Sequence, residues 1–151
     1  MEKTAPASTY PSQVWRGLPW VKSSVFFLAA MLLMIQSTAA VGEVLSARKI
    51  YMIDGDTIAI SDQRFRLVGF DTPETRHAKC SYELALGNEA TRRARQLVED
   101  AGIVDLIVLP GRDKYGRGLA RLLIQGEDLG SRLIAEGLAR PYQGGRRQSW
   151  C

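Results

Sequence analysis

Asp54-Gly55-Asp56-Thr57-Ile58-Ala59-Ile60-Ser61-Asp62-Gln63-Arg64-Phe65-Arg66-Leu67-Val68-Gly69-Phe70-Asp71-Thr72-Pro73-Glu74-Thr75 carries an acidic segment at each end and two short apolar runs between them. Thr57 to Ile60 reads as one strand, Ser61-Asp62-Gln63 as a turn, and Arg64 to Phe70 as a second strand with two distinguishable faces. Folded as a hairpin with Ser61 opposite Arg64, the pair sets Asp56 roughly opposite Gly69. Asp71 then lies just past the same end, so carboxylates from both limbs meet without long-range folding. Arg66 and Asp71 are separated by an odd number of positions, which strict alternation would put on opposite faces. A bulge or bend at Gly69 is the natural way to reunite them.

Working outward, Val44 to Ile53 reads as a strand interrupted by Arg48-Lys49, and His77 to Ser81 as loop. Asn88 is a good helix N-cap with Glu89 in the first turn. From there Ala90, Ala94, Leu97, Val98 and Ala101 repeat at helical spacing, and Gly102 ends the run. Arg92, Arg93 and Arg95 fall off that stripe, as a solvated helix face rather than a nucleic-acid track. Ile103 to Leu109 and Leu119 to Ile124 are two further strands around the loop from Pro110 to Gly116. Asp128 caps a second helix that Gly137 stops. The order is three strands, helix, two strands, helix. It fits an α+β, mainly β fold: a five-stranded OB-fold-like Greek-key barrel with two or three helices. An open α+β sheet is the competing arrangement. Repeated βα alternation is absent, which argues against a parallel doubly wound fold.

The chain has 151 residues and a formal charge of +4, enough for one domain of ordinary core size. Residues 1–40 are expected to stand apart from it as an export signal or membrane anchor. Lys3, Arg16 and Lys22 precede the uncharged apolar run Val25 to Ile35, and Gln36-Ser37-Thr38-Ala39-Ala40 offers a small-residue exit. The run is short for a membrane span, so cleavage after Ala40 is expected, with contact of residues 22–41 with the membrane as the alternative. Residues 41–151 form the domain, secreted or periplasmic and expected to be monomeric. They hold 17 basic and 15 acidic residues, a balance too even to signal a nucleic-acid partner unless the bases cluster. Cys80 and Cys151, an even count in an exported domain, are expected to pair. Such a bridge would contribute about 3–4 kcal/mol in the loop-entropy account, and Trp150 would cover apolar surface beside it.

The chemistry-bearing residues converge on phosphodiester hydrolysis. Asp56, Asp71 and the Thr72 carbonyl are hard oxygen donors suited to Ca²⁺. Glu74 can orient a water or take its proton. Arg66 and Arg117 can hold a phosphate by paired hydrogen bonds and stabilise the charge of a five-coordinate transition state. His77, the only histidine, is expected to be solvent-exposed rather than catalytic.

Each motif alone is weak; their order and spacing together are specific. Asp54-Gly55-Asp56-Thr57, the run from Arg66 to Thr75, Gly87 to Ala90, Asp113-Lys114-Tyr115-Gly116-Arg117-Gly118-Leu119-Ala120 and Gly137-Leu138-Ala139 resemble the staphylococcal nuclease-like (thermonuclease) family over about Val44 to Tyr142. The resemblance implies an OB-like barrel and Ca²⁺-dependent cleavage of DNA and RNA that leaves the phosphate on the upstream 3′ oxygen; single-stranded DNA and RNA are the expected preferred partners. It gives Asp56, Asp71 and the Thr72 carbonyl the calcium roles, Arg66 and Arg117 the phosphate roles, and Glu74 the water-activating role. Lys114 and Tyr115 match contacts to a neighbouring phosphate, and Tyr142 matches an aromatic that packs on a base. The family's long C-terminal helix is replaced by the tail Arg140 to Cys151. The rival reading is a non-catalytic OB-fold module that binds single strands, although such a binder gains nothing from carboxylates that repel phosphate.

Overall fold

The computed structural model describes residues 42–151. The export-signal reading of residues 1–40 lies outside them. Among the described residues nine strands and two α-helices follow one another: β1 (Glu43–Ser46), β2 (Ile50–Asp54), β3 (Thr57–Ile60), β4 (Gln63–Leu67), β5 (Gly69–Asp71), α1 (Ser81–Ala101), β6 (Ile103–Arg112), β7 (Gly118–Ile124), β8 (Glu127–Asp128), α2 (Leu129–Ala135) and β9 (Arg140–Tyr142). The main sheet runs β1-β6-β7-β4-β3-β2, with β8 added to β7. Its two outermost strands are consecutive in the chain. Only the three-residue 3₁₀ turn Ala47–Lys49 separates them. A link of that length spans about 10 Å at most, so the two edges must approach and the sheet curls into the expected OB-like α+β fold.

Five expected strands become nine: two long strands break, and the short strands β8 and β9 form in segments not expected to be strand. Arg48-Lys49 splits the first into β1 and β2. The third splits at Val68, where Gly69 takes φ +96°, a conformation that costs any other residue strain. Val68 N–H still donates to Ala120 O at 3.0 Å, continuing the parallel β4–β7 pairing, while β5 leaves the sheet to pair with β9. The hairpin register differs from the expected one by two residues. Ile60 faces Gln63 and Thr57 faces Arg66, and Leu67 N–H donates to Asp56 O at 2.8 Å. The turn is thus two residues, Ser61-Asp62, with Ser61 at φ 51°. A shift by an even number leaves every side chain on its expected face, so the consequence for the acids survives.

Helix α1 begins at Ser81, seven residues before the expected N-terminus at Asn88. Its buried stripe is Glu83, Gly87, Ala90, Ala94, Leu97 and Val98. The first two members are a carboxylate and a glycine, so the apolar period is silent there. Glu83 is buried because it accepts from Lys79 N–H at 2.6 Å, closing the turn that opens the helix. Asp128 caps α2 as expected, accepting from Gly130 N–H at 2.8 Å. Helices α1 and α2 pack against each other, and with the sheet's inner face they enclose Met52, Ile58, Leu67, Phe70, Leu122 and Leu133. Arg92 and Arg93 pair with Glu89 and Glu136, and Arg95 donates to Met52 O, a helix face occupied by protein partners.

The Cys80–Cys151 disulfide is present, with Cα atoms 6.1 Å apart. It ties the N-cap of α1 to the last residue. Trp150 is buried beside it, as expected, and Arg140 stacks on its ring at 3.7 Å.

Gly87 faces the backbone of the loop after β5: an added Cβ would lie 2.8 Å from Pro73 O and 2.9 Å from Glu74 O. Alanine favours a helix over glycine by about 1 kcal/mol, but forcing backbone apart costs about 1–3 kcal/mol. Gly87→Ala is therefore expected to lower stability by about 1 kcal/mol in chemical denaturation, whereas Asn88→Ala on the exposed side is expected to be neutral or stabilising. A Gly87→Ala protein more stable than the parent would show that the loop moves freely off the helix.

Candidate functional site

Two loops and one broken strand assemble the site. The tight turn after β2 presents Asp56, the kink at Gly69 redirects Asp71, and between them stands Arg66 from β4. Arg66 is 7% exposed, Asp56 3% and Asp71 6%. The guanidinium holds both acids: its Nη1 pairs with Asp56 Oδ1, and its Nη2 lies 3.1 Å from Asp71 Oδ1 and donates to Phe70 O at 3.2 Å. The bend expected at Gly69 is what puts Arg66 and Asp71 on one side. Thr72 N–H donates to Asp56 Oδ2 at 3.2 Å, which locks the second acidic segment onto the first.

The network continues in both directions. Thr57 Oγ1 donates to Asp56 Oδ1 at 3.1 Å and accepts from Arg117 Nη1 at 3.0 Å. Asp113 holds the other side of Arg117, accepting from Nε at 2.6 Å and from the Arg117 backbone N–H at 2.9 Å. On the far side, Arg147 Nε lies 3.0 Å from Asp71 Oδ1, and its Nη1 lies 2.5 Å from Glu74 Oε1. Asp113, Thr57, Asp56, Arg66, Asp71, Arg147 and Glu74 thus form one unbroken chain of charge-assisted contacts with Arg117.

The polar groups open onto a cleft with a volume of about 1340 Å³, lined by Asp56, Arg66, Glu74, Arg117, Tyr142 and Arg147 among others. That exceeds the roughly 300–1,000 Å³ of small-molecule sites and suits a polymer. Lys114 and the 70%-exposed Tyr115 stand at its rim, with the Lys114 ammonium 4.9 Å from the Tyr115 ring. Tyr142 in β9 pairs with Gly69 and donates its hydroxyl to Gly145 O at 2.8 Å. His77 is exposed, as expected.

Pattern reading left Thr57, Asp113 and Asp54 without a role, and left Arg147, with Arg146, evenly balanced between a solvated surface and a nucleic-acid track. Thr57 adjoins Asp56 and Asp113 precedes Arg117 by one helical-like turn, so both were within reach of spacing. Arg147 was not, because it lies 73 residues from Glu74 in a segment without periodicity.

Burial pushes the Asp56 carboxyl up to about 6; Arg66 and Thr72 N–H pull against this, and the neighbouring Asp54 adds to it. Burial works against the charge on Arg147, but Asp71, Asp56 and Glu74 outweigh it and raise its pKa. Among the described residues no three His, Cys, Asp or Glu side chains are grouped to hold a metal. The donor set nevertheless fits a hard divalent cation: two nearly buried carboxylates, both hard oxygen donors, converge on one guanidinium. Calcium takes six to eight oxygens, so backbone, water and substrate would complete its shell.

The sequence model described as staphylococcal nuclease homologue matches residues 64–149. The chain belongs to this family. It is 37% identical over 94 residues to Endonuclease YncB of Bacillus subtilis (strain 168), covering 58% of this chain and 44% of that protein. It is 36% identical over 94 residues to the SPbeta prophage-derived endonuclease YokF of the same organism, covering 58% and 31%. To the thermonuclease of Staphylococcus intermedius it is 36% identical over 93 residues, covering 59% and 55%. The aligned part is therefore between about a third and just over half of each relative's length.

The raised Asp56 value fixes a sign. An unfolded aspartate ionises near 3.8, so between there and about 6 the folded protein binds more protons and stability falls as pH rises. Asp56→Asn removes that loss. In chelator at pH 8 the variant is expected to be more stable than the parent by on the order of 2 kcal/mol, with the gain vanishing below pH 4. Equal denaturation midpoints at pH 8 would show that Arg66 fully compensates the Asp56 charge.

Proposed function

We propose that this chain is an exported, Ca²⁺-dependent nuclease that hydrolyses phosphodiester bonds of DNA and RNA with little sequence preference and favours single strands. The observation that carries this reading is the convergence of Asp56 and Asp71 on one guanidinium, at a polymer-sized cleft lined by Asp56, Arg66, Glu74 and Arg117. The names of the relatives, two endonucleases and a thermonuclease, support the same chemistry.

Asp56, Asp71 and the Thr72 carbonyl would hold the calcium, which supplies a Lewis acid for the phosphoryl oxygen and offsets its charge. Arg66 and Arg117 donate to the non-bridging oxygens, and both gain strength as a further negative charge develops there. Thr57 and Asp113 fix the direction of Arg117 before the strand arrives, so little reorganisation is needed. Glu74, with a side chain 41% exposed, faces water and takes the proton of the attacking molecule. The water oxygen bonds to phosphorus, the P–O5′ bond breaks, and O5′ is protonated from solvent, leaving phosphate on the 3′ side. Lys114 and Tyr115 at the rim engage the next phosphate, and Tyr142 offers a ring to a base.

Export is supported by the apolar run Val25 to Ile35 and by a disulfide, which persists in oxidising compartments. In this reading residues 1–40 are the signal, or an anchor that holds residues 22–41 at the membrane, and 41–151 act as a monomer.

The purified protein is expected to degrade denatured DNA in Ca²⁺, to stop on addition of chelator, and to leave 3′-phosphate ends. Retention of labelled strands without cleavage would identify a binding module instead. Glu74→Gln is expected to lower kcat by about 10²–10⁴ while KM changes little. A Glu74→Gln enzyme as fast as the parent would remove this residue from the mechanism.

A further inference from the structure

We propose that Arg147 is a third phosphate-binding guanidinium of this cleft, delivered by the disulfide-closed C-terminal tail. The inference rests on the nuclease reading and adds to it a substrate-binding residue and the device that places it.

Three features pin the tail. Strand β9 pairs antiparallel with β5, Asp71 opposite Arg140 and Gly69 opposite Tyr142, so the tail starts beside the strand that ends in the acid. Its other end is fixed by the disulfide from Cys151 to Cys80. Arg140 then clasps the two ends together, stacking on the buried Trp150 at 3.7 Å and donating to Ser149 O at 3.0 Å. Residues 143–148 are left as a short closed loop along the cleft, turned at Gly144-Gly145. Arg147 is the member of that loop whose side chain reaches Asp71 and Glu74, at 3.0 and 2.5 Å. Its guanidinium also lies 5.8 Å from the Tyr142 ring.

A guanidinium has five N–H donors in a planar fork. The pairs with Asp71 and Glu74 engage the Nε and Nη1 groups, and the side chain remains 35% exposed, so donors are left for a ligand in the cleft. The surroundings say which ligand. Arg147 adds a third guanidinium to Arg66 and Arg117 along the same cleft, and its remaining donors match the oxygens of a phosphodiester. The same charge beside Asp71 opposes the cation, so Arg147 strengthens substrate binding at the expense of calcium binding. Those opposite signs separate it from a merely structural salt bridge.

The test compares the oxidised parent with Arg147→Gln, Arg147→Lys, Arg146→Gln and the paired Cys80→Ser, Cys151→Ser variant. KM is read with a labelled single-stranded oligodeoxynucleotide in saturating Ca²⁺, and Ca²⁺ Kd by calorimetry without nucleotide. Arg147→Gln is expected to raise KM about tenfold, the usual effect of one charge-assisted contact, and to tighten Ca²⁺ binding severalfold. Arg147→Lys keeps the charge but not the fork, so it should recover the Ca²⁺ Kd and only part of KM. Arg146→Gln should leave both near the parent values. The serine pair should reproduce Arg147→Gln, and combining the two should add little, since both remove one interaction. Should the serine pair fail to fold, the single arginine variants still decide.

A parent that does not cut in Ca²⁺ overturns the nuclease reading beneath the proposal. A cutting parent whose Arg147→Gln variant keeps both KM and Ca²⁺ Kd overturns the role of Arg147 alone. Equal effects from Arg146→Gln would also overturn it, by reducing the contribution to overall charge.

Discussion

A buried arginine with one carboxylate on each arm is the constraint on which this cleft depends. Arg66 is nearly sealed from solvent, as are Asp56 and Asp71. Taking three charges out of water is expensive, and their mutual attraction repays it only when the geometry is good. Apolar side chains of similar size would stabilise such a place at least as well. The triad is therefore poorly explained by stability, and burial pushes the carboxyl of Asp56 upward even with Arg66 beside it. In the proposed chemistry a divalent cation would engage the two carboxylates, and phosphate oxygens the arginines. Stability and the proposed chemistry pull in opposite directions at one residue.

The rest of the fold can be read as support for that triad. The kink at Gly69 turns β5 out of the main sheet, which both returns Asp71 to Arg66 and frees an edge for β9. The close approach of Gly87 to the Pro73 and Glu74 carbonyls sets helix α1 as a rigid bed beneath the loop that bears the proposed base. Thr57 couples Arg117 to Asp56 through one hydroxyl. Packing, backbone conformation and polar contacts thus reach the same few atoms from three sides, the redundancy expected where side chains must be held before a ligand binds.

How much of this was legible in the sequence follows from the range of each signal. Asp56, Arg66 and Asp71 sit within sixteen residues, so local alternation plus one glycine was enough to join them. The hairpin register was misjudged by two residues because Ser61 enters a positive-φ turn that composition does not announce; the even shift kept the faces right. The start of α1 was hidden because Glu83 and Gly87 occupy the buried stripe for polar and steric reasons, and hydropathy cannot see either. Tyr115 and Lys114 were placed by motif and do stand at the rim. Arg147 was beyond local pattern altogether: its position follows from a disulfide, a two-strand pairing and a cation stacked on Trp150, all of them long-range.

The tail also closes an edge that β5 would otherwise leave open. In a small barrel the strand β5 leaves an unpaired edge, and an unpaired edge is a liability. Here β9 covers it with three residues, and the covalent link to Cys80 holds the cover in place without a large apolar interface. In the chain-entropy account, closing a loop across the 71 positions between Cys80 and Cys151 contributes about 4 kcal/mol. The bridge has a further consequence. Because the cover is held by a bond that depends on the redox state of its surroundings, the position of every residue on it, Arg147 included, depends on that state as well.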